Sequence, residues 1–172
     1  MRLDLSHNKL KTFSTNFPLK FLNLLDNKFD SIASLSLPET LETLYLDENM
    51  FATISHDFQW PKKLQFLSLQ QCHISTLDVL IPSKLEVLRF KNNRFHSKSF
   101  GLKCNSPTVF NLLDLSENFF KDFNFNTIQD IELARLNLAN NMFDDIPLNI
   151  PSNILCAIFN SSSDSVVHNL KT

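Results

Sequence analysis

The stretch LKFLNLLDNKF, residues 19–29, decides the fold, because its spacing of apolar residues returns along almost the whole chain. It contains Leu19, Leu22 and Leu24, followed by Asn27 and Phe29. The five positions recur as Leu41, Leu44, Leu46, Asn49 and Phe51; Leu64, Leu67, Leu69, Cys72 and Ile74; Leu85, Leu88, Phe90, Asn93 and Phe95; Phe110, Leu113, Leu115, Asn118 and Phe120; and Leu133, Leu136, Leu138, Asn141 and Phe143. A partial copy precedes them at residues 3–10, and a decayed copy follows with Ile154, Ala157 and Phe159, where Ser162 replaces the Asn. Successive copies begin 21 to 25 residues apart, a period typical of stacked structural repeats.

The leucines of each copy alternate with other residues, as the sequence of a half-buried β-strand requires. One strand per repeat cannot bury its apolar face alone, so we expect neighbouring repeats to stack their strands in parallel around one core. The Asn position follows the strand, where a buried side-chain amide can satisfy backbone groups that would be costly to leave unpaired. Cys72 occupies this position in one copy, and we interpret it as a small buried group and not as a reactive thiol.

The repeated pattern resembles the leucine-rich repeat family, and the resemblance covers almost all of the chain. It implies an α/β-type solenoid that is mostly β: a right-handed horseshoe with a parallel concave sheet and convex loops or short 3-10 turns. A proline precedes most of the strands by three residues, which also favours loops over long convex helices. We expect residues 1–172 to form a single leucine-rich repeat domain of about seven repeats plus the degenerate C-terminal one. The first repeat starts abruptly, as expected of a fragment of a longer array, an incomplete gene model or an unusually small protein.

The segment from His96 to Thr108 makes the longest repeat and contains Gly101 and Cys104. It carries Lys98 where the other repeats place an apolar residue on the convex side. The sequence therefore predicts a protruding convex loop here.

Outward positions of the strands predict a binding surface on the concave face. An apolar and aromatic band is flanked by charges, a composition typical of protein-binding patches. The candidate binding residues are Phe21, Leu25, Tyr45, Asp47, Phe66, Val87, Arg89, Lys91, Leu112 and Asp114. A second interpretation stays open, in which the aromatic residues simply cover the edges of neighbouring strands.

Other kinds of site find little support in the sequence. The net charge of −2 argues against a nucleic-acid partner, and a single Gly rules out a glycine-rich phosphate loop. Three cysteines without a C-x-x-C motif do not form a disulfide framework or a zinc site, and the five His show no metal-binding spacing. No apolar run is long enough to span a membrane. We therefore predict no catalytic residues, no metal, no cofactor and no enzymatic activity, but a protein ligand as partner.

Two branches of the family compete. The opening LDLSHNKL, residues 3–10, and the irregular repeat lengths resemble extracellular arrays of the Toll-like receptor kind, which implies ligand recognition in innate immunity. The phrases LPETL, residues 37–41, and IPSKL, residues 81–85, resemble the repeats of bacterial effectors. The alternatives are thus a receptor-like module, an intracellular effector or adaptor, and the substrate-recognition part of a larger enzyme. The compartment stays open: extracellular if the chain is part of a longer one, cytoplasmic if it is complete.

Overall fold

The protein is a β-solenoid of about seven turns, seen in a computed structural model that describes residues 1–104, 108–145, 147, 149–161 and 164–169, with side chains described no further than Phe159. Ser162 lies outside the described residues. The strands are β1 (Arg2–Asp4), β2 (Phe13–Ser14), β3 (Phe21–Asn23), β4 (Leu35–Ser36), β5 (Thr43–Tyr45), β6 (Thr53–Ile54), β7 (Phe66–Ser68), β8 (Thr76–Ile81), β9 (Val87–Arg89), β10 (Phe100–Cys104), β11 (Thr108–Phe110), β12 (Leu112–Asp114), β13 (Ile131–Leu133), β14 (Leu136–Asn137), β15 (Cys156–Ser161) and β16 (Asp164–Asn169). The helical content described is limited to two short 3-10 turns, Ile32–Ser34 and Phe125–Ile128.

One strand from each repeat joins a nine-stranded sheet in the order β1-β3-β5-β7-β9-β12-β14-β15-β16. All neighbours in it are parallel except β15 and β16, which pair antiparallel at one end. The middle leucine of each repeat lies beside its counterpart in the next: Leu22, Leu44, Leu67, Leu88, Leu113 and Leu136 form one line of register partners. The predicted parallel stacking is therefore confirmed.

Each short strand turns its middle side chain inward and its two flanking side chains outward, as the alternation of a strand requires. The inward leucines of the six complete repeats are 0–2% exposed and belong to a single hydrophobic core. Because this core runs the length of the stack, each repeat depends on its neighbours for burial.

The predicted Asn residues hold the turns after most strands of the main sheet. The Asn49 side-chain amide donates to the carbonyls of Leu24 and Leu46, and its oxygen accepts the Phe29 backbone N–H at 3.1 Å. Asn27, Asn93, Asn118 and Asn141 make the same kind of bonds to their own and the preceding repeat. The result is a ladder of buried amides that satisfies the backbone where it leaves the sheet.

The residue just before this ladder takes a left-handed backbone conformation in seven successive turns, with φ between 49° and 58°. These residues are His7, Asp26, Glu48, Gln71, Asn92, Glu117 and Asn140. None is glycine, although this conformation costs an ordinary L-residue about 1–2 kcal/mol. The stacked backbone bonds of each turn, such as that from the Glu48 N–H to the Gln70 carbonyl, hold the residue there.

Three small parallel sheets lie away from the main sheet: β2-β4, β6-β8-β10 and β11-β13. The predicted protruding loop at His96–Thr108 is wrong for Phe100–Cys104, which forms β10 and pairs with β8 along five residues. Phe100 and Leu102 are buried, because Phe100 fills the apolar position two residues later than the place where Lys98 stands. The rings of Phe90, Phe95, Phe120 and Phe123 surround Phe100 with centroids 5.5–6.5 Å away.

Candidate protein-binding face

The outward side chains of the nine-stranded sheet form a surface that we call the sheet face. Strand register sets them in rows that run across the strands. The first row reads Arg2, Phe21, Thr43, Phe66, Val87 and Leu112, and the second reads Asp4, Asn23, Tyr45, Ser68, Arg89, Asp114 and Asn137. Candidate residues on neighbouring strands, although about 22 residues apart in sequence, thus lie one strand spacing of about 4.8 Å apart.

Among the aromatic residues of these rows, Tyr45 contacts both Phe21 and Phe66. Phe21 and Phe66 lie in the first row with Thr43 between them, and Tyr45 lies in the second row. The Tyr45 ring centroid is 5.8 Å from that of Phe21 and 4.8 Å from that of Phe66. Tilted ring pairs of this kind contribute about 0.5–1.5 kcal/mol each. All three residues keep part of their surface in solvent, so the rings pack on one another and remain available for contact.

We call the line of rings formed by Phe21, Tyr45 and Phe66 the aromatic row. A guanidinium group lies at each end of it. The Arg2 guanidinium carbon lies 3.8 Å from the Phe21 ring centroid, and that of Arg89 lies 5.3 Å from the Phe66 centroid. Arginine stacks favourably on an aromatic face, by about 0.5–1 kcal/mol at exposed sites. The arginine–aromatic cluster consists of Arg2, Phe21, Tyr45, Phe66 and Arg89.

Asp47 does not face solvent as the sequence led us to expect. It is 4% exposed, and its carboxylate accepts the Gln70 backbone N–H at 2.6 Å and the Ser68 hydroxyl. Burial raises the pKa of Asp47 above its ordinary value, although the bonds from Ser68 and Gln70 oppose that rise. Asp47 therefore supports the neighbouring repeat and offers little surface to a ligand.

The remaining candidates lie around the cluster. Val87 and Leu112 continue the first row, partly exposed, and Leu25 is partly exposed beside the buried Asp47. Asp114 lies beside Arg89 in the second row, but its carboxylate accepts the backbone N–H and hydroxyl of Ser116. Lys91 forms an ion pair of 3.0 Å with Glu117.

Arg2 was not among the residues predicted from the sequence, yet the register places it beside Phe21. The signal was available, since Arg2 stands one position before Leu3, as Phe21 stands one position before Leu22. The ion pair between Lys20 and Glu42, 2.9 Å, at the margin of the face was missed as well. The Lys20 ammonium holds the pKa of Glu42 below its ordinary value.

Comparison with known proteins leads to receptors and to one protein named keratocan. No family model matches the chain. Toll-like receptor 2 of the horse, Equus caballus, is 36% identical over 64 residues, covering 37% of this chain and 8% of the receptor. Receptor-like protein 7 of Arabidopsis thaliana is 28% identical over 133 residues, 75% of this chain and 13% of that protein, and chicken (Gallus gallus) keratocan is 29% identical over 109 residues, 62% and 31%. These relatives are leucine-rich repeat proteins, and the parallel stack of strands agrees with them.

The chain is a parallel β-solenoid whose architecture is consistent with that of these leucine-rich repeat relatives. It spans only about a tenth of the length of the receptors that it matches. The predicted resemblance to leucine-rich repeat proteins, including the likeness to Toll-like receptors, is confirmed.

Within the described part of this solenoid, other chemistry is sparse. Burial raises the pKa of the Cys72 thiol to about 12 and also raises that of Cys104, so neither thiol is activated. Across the described residues, no three His, Cys, Asp or Glu side chains are grouped as a metal site would require. No helix in the described ranges has the length and apolar character needed to cross a bilayer.

Proposed function

We propose that this solenoid is a recognition module that binds a protein ligand through its sheet face, with the arginine–aromatic cluster at the centre of the contact. The observation that carries the proposal is the row of partly exposed rings, Phe21, Tyr45 and Phe66, closed at its ends by two guanidinium groups. Aromatic residues and arginine are the side chains that most often dominate the binding energy of protein interfaces.

The relatives support a role in recognition, because one is named as a receptor and another as a receptor-like protein. Catalysis needs activated groups that the described residues do not display, so we assign the chain a binding role without enzymatic activity. We include in the same proposal the extracellular setting that the sequence leaves open for a part of a longer chain.

Selection from a random peptide display library tests the proposal while the ligand is still unidentified. Peptides selected on the intact chain should bind at least about thirtyfold more weakly to Tyr45→Ala or Phe66→Ala, as expected when a contact of about 2 kcal/mol is lost. Phe119→Ala is the matched control, because Phe119 is 46% exposed but lies beyond the sheet in the turn after β12.

A second readout locates the contact. Tyr45 is the single tyrosine of the chain, so a protein labelled with ¹³C-tyrosine gives one set of ring resonances at the cluster. Selected peptides should shift these resonances. Peptides that bind both alanine variants as tightly as the original chain, and leave the Tyr45 resonances in place, would show that the sheet face is not the binding surface.

A further inference from the structure

The charges around the arginine–aromatic cluster are not balanced. Its two lysine neighbours, Lys20 and Lys91, form ion pairs with Glu42 and Glu117. In the part of the chain that the structure describes, neither Arg2 nor Arg89 has a carboxylate oxygen within 4.0 Å. The cluster therefore presents two cations whose charge is not paired.

The carboxylates nearest to these cations along the second row are already engaged. Asp4 accepts the backbone N–H and hydroxyl of Ser6 and the side-chain amide of Asn23. These bonds, led by that of the Ser6 backbone, keep the pKa of Asp4 below its ordinary value. Asp114 is occupied in the same way by Ser116. Because both acids already have hydrogen-bond partners within the chain, the two guanidinium groups remain available to a carboxylate of a partner.

Both guanidinium groups lie over ring faces. A stacked guanidinium keeps its N–H groups in the plane of the group, where they can form paired bonds with a carboxylate. Arginine suits this arrangement better than lysine, because its charge is spread over a plane. The ring stacking also restricts each arginine before a ligand arrives, which reduces the ordering cost of binding.

The separation of the two cations sets the spacing of the acids that could reach both. Arg2 and Arg89 stand on β1 and β9, four strand spacings or roughly 19 Å apart, and both side chains lean inward over the rings. An extended peptide that crosses the strands advances about 3.3 Å per residue and turns alternate side chains to the same face. Acids four or six residues apart would then span about 13 or 20 Å and point to one side.

We infer that the sheet face binds an extended acidic peptide segment, with two carboxylates four or six residues apart on Arg2 and Arg89 and apolar side chains on the aromatic row between them. This inference rests on the proposed function and adds to it the chemistry and spacing of the ligand. The apolar side chains at the alternate positions would cover the rings of Phe21, Tyr45 and Phe66, and the opposite side of the peptide would stay in solvent.

Short synthetic peptides test the inference on the full chain. The peptides Glu-Ser-Leu-Ser-Leu-Ser-Glu and Glu-Ser-Leu-Ser-Glu carry acids six and four residues apart on one face. The control Glu-Ser-Leu-Ser-Leu-Glu places its acids five apart, on opposite faces, and a further control replaces both Glu of the longest peptide by Gln. Dissociation constants come from titrations of the ¹³C-tyrosine resonances of Tyr45.

At least one of the two matched peptides should bind about tenfold more tightly than both controls, as expected for charge-assisted bonds. Arg89→Gln and Arg2→Gln should each remove about that factor. Lys103→Gln should not, since Lys103 pairs with Asp78 on the separate sheet β6-β8-β10.

Three results would overturn the inference. The first is equal binding of the Glu and Gln peptides, which would leave recognition by the aromatic row intact. The second is a lower dissociation constant, measured at the Tyr45 resonances, for a sulfated heparin oligosaccharide than for either matched peptide. That result would assign the two arginines to a glycan ligand. The third is the absence of any Tyr45 shift with all four peptides; in that case the library selection still decides the proposed function separately.

Discussion

Among the repeats whose Asn position the structure describes, the Asn ladder is interrupted at Cys72, and restoring the amide there should stabilise the solenoid. The Cys72 thiol is fully buried and reaches the Leu46 carbonyl at 3.2 Å, as the Asn49 amide reaches that of Leu24. An amide at this place could do more, because its oxygen would accept the Phe51 backbone N–H as Asn49 accepts that of Phe29. Since its pKa is about 12, the thiol is neutral at ordinary pH and supplies no charge to replace that bond.

The magnitude follows from one added hydrogen bond. Cys72→Asn should raise the free energy of unfolding by about 0.5–1.5 kcal/mol, the usual net value of a neutral bond within a protein. For a chain of this size the corresponding increase in melting temperature is about 1–6 °C. The converse substitution, Asn49→Cys, should lower stability by about 1–3 kcal/mol, because it leaves a buried N–H of Phe29 without its acceptor.

Urea unfolding followed by circular dichroism, with a reductant present, measures both variants against the original chain. The slope with denaturant should not change, since the area exposed on unfolding stays the same. A loss of more than about 1 kcal/mol in Cys72→Asn, together with no loss in Asn49→Cys, would refute the idea that the amides hold the turns.

Three further predictions concern single positions. The pKa of Asp47 is raised in the folded state, so its contribution to stability is greatest below its ordinary value of 3.8 and falls as the pH rises through the folded value. Urea titrations at a series of pH values, starting below 3.8, should therefore show Asp47→Asn gaining on the original chain as the pH rises, and a constant difference would contradict this. Gln71 has a φ of 54°, which costs about 1–2 kcal/mol of strain, whereas glycine at this position would cost about 0.5–1 kcal/mol of backbone entropy. Gln71→Gly should therefore raise the melting temperature and Gln71→Val should lower it, and equal values for the two variants would argue against strain. Phe100→Ala should lower the free energy of unfolding by about 3–5 kcal/mol, because it opens a cavity among phenylalanine rings. Lys98→Ala, at the exposed position nearby, should change it by no more than about 0.5 kcal/mol. Similar losses in the two variants would place both side chains in the core.

The main sheet could be predicted from the sequence because its signal is repeated. Each of the leucines at Leu22, Leu44 and Leu67 is weak evidence alone, but their shared period allows only one stacking that buries them all. The Asn ladder was predictable for the same reason, since an amide that recurs at one place in a period points to a backbone need that recurs.

The other side of the solenoid was harder to predict. In the longest repeat the apolar residue is Phe100, two residues after the position where the repeat spacing expects it and where Lys98 stands. A fixed spacing therefore predicts an interrupted pattern in this repeat. The left-handed residues escaped notice because Glu48 and Gln71 resemble ordinary polar turn residues, and the usual indicator, glycine, is absent from these turns. Neither feature is visible without the contacts of the neighbouring repeats.

The candidate site, too, could be predicted only in part from the sequence. Register alone could place Tyr45 between the repeats of Phe21 and Phe66, and it could have added Arg2. It could not reveal that Asp47 is buried, because that depends on which side chain the next repeat offers. There Ser68 takes the place that Asp4 and Asp114 hold in their own repeats, and so the Asp47 carboxylate crosses over to bond Ser68 and the Gln70 N–H.

Binding and stability can be separated in the proposed experiments, because inward and outward residues of the sheet have different roles. The backbone of each turn is satisfied by buried amides, and the sheet is held by inward leucines, so outward residues are not required for either. Tyr45→Ala removes two tilted ring contacts, which amount to about 1–3 kcal/mol at most, from a face that the core does not depend on. Asp47 is the exception, since its carboxylate links two repeats, and a loss of binding in an Asp47 variant would report a change in the fold of the face and not a lost contact with the ligand.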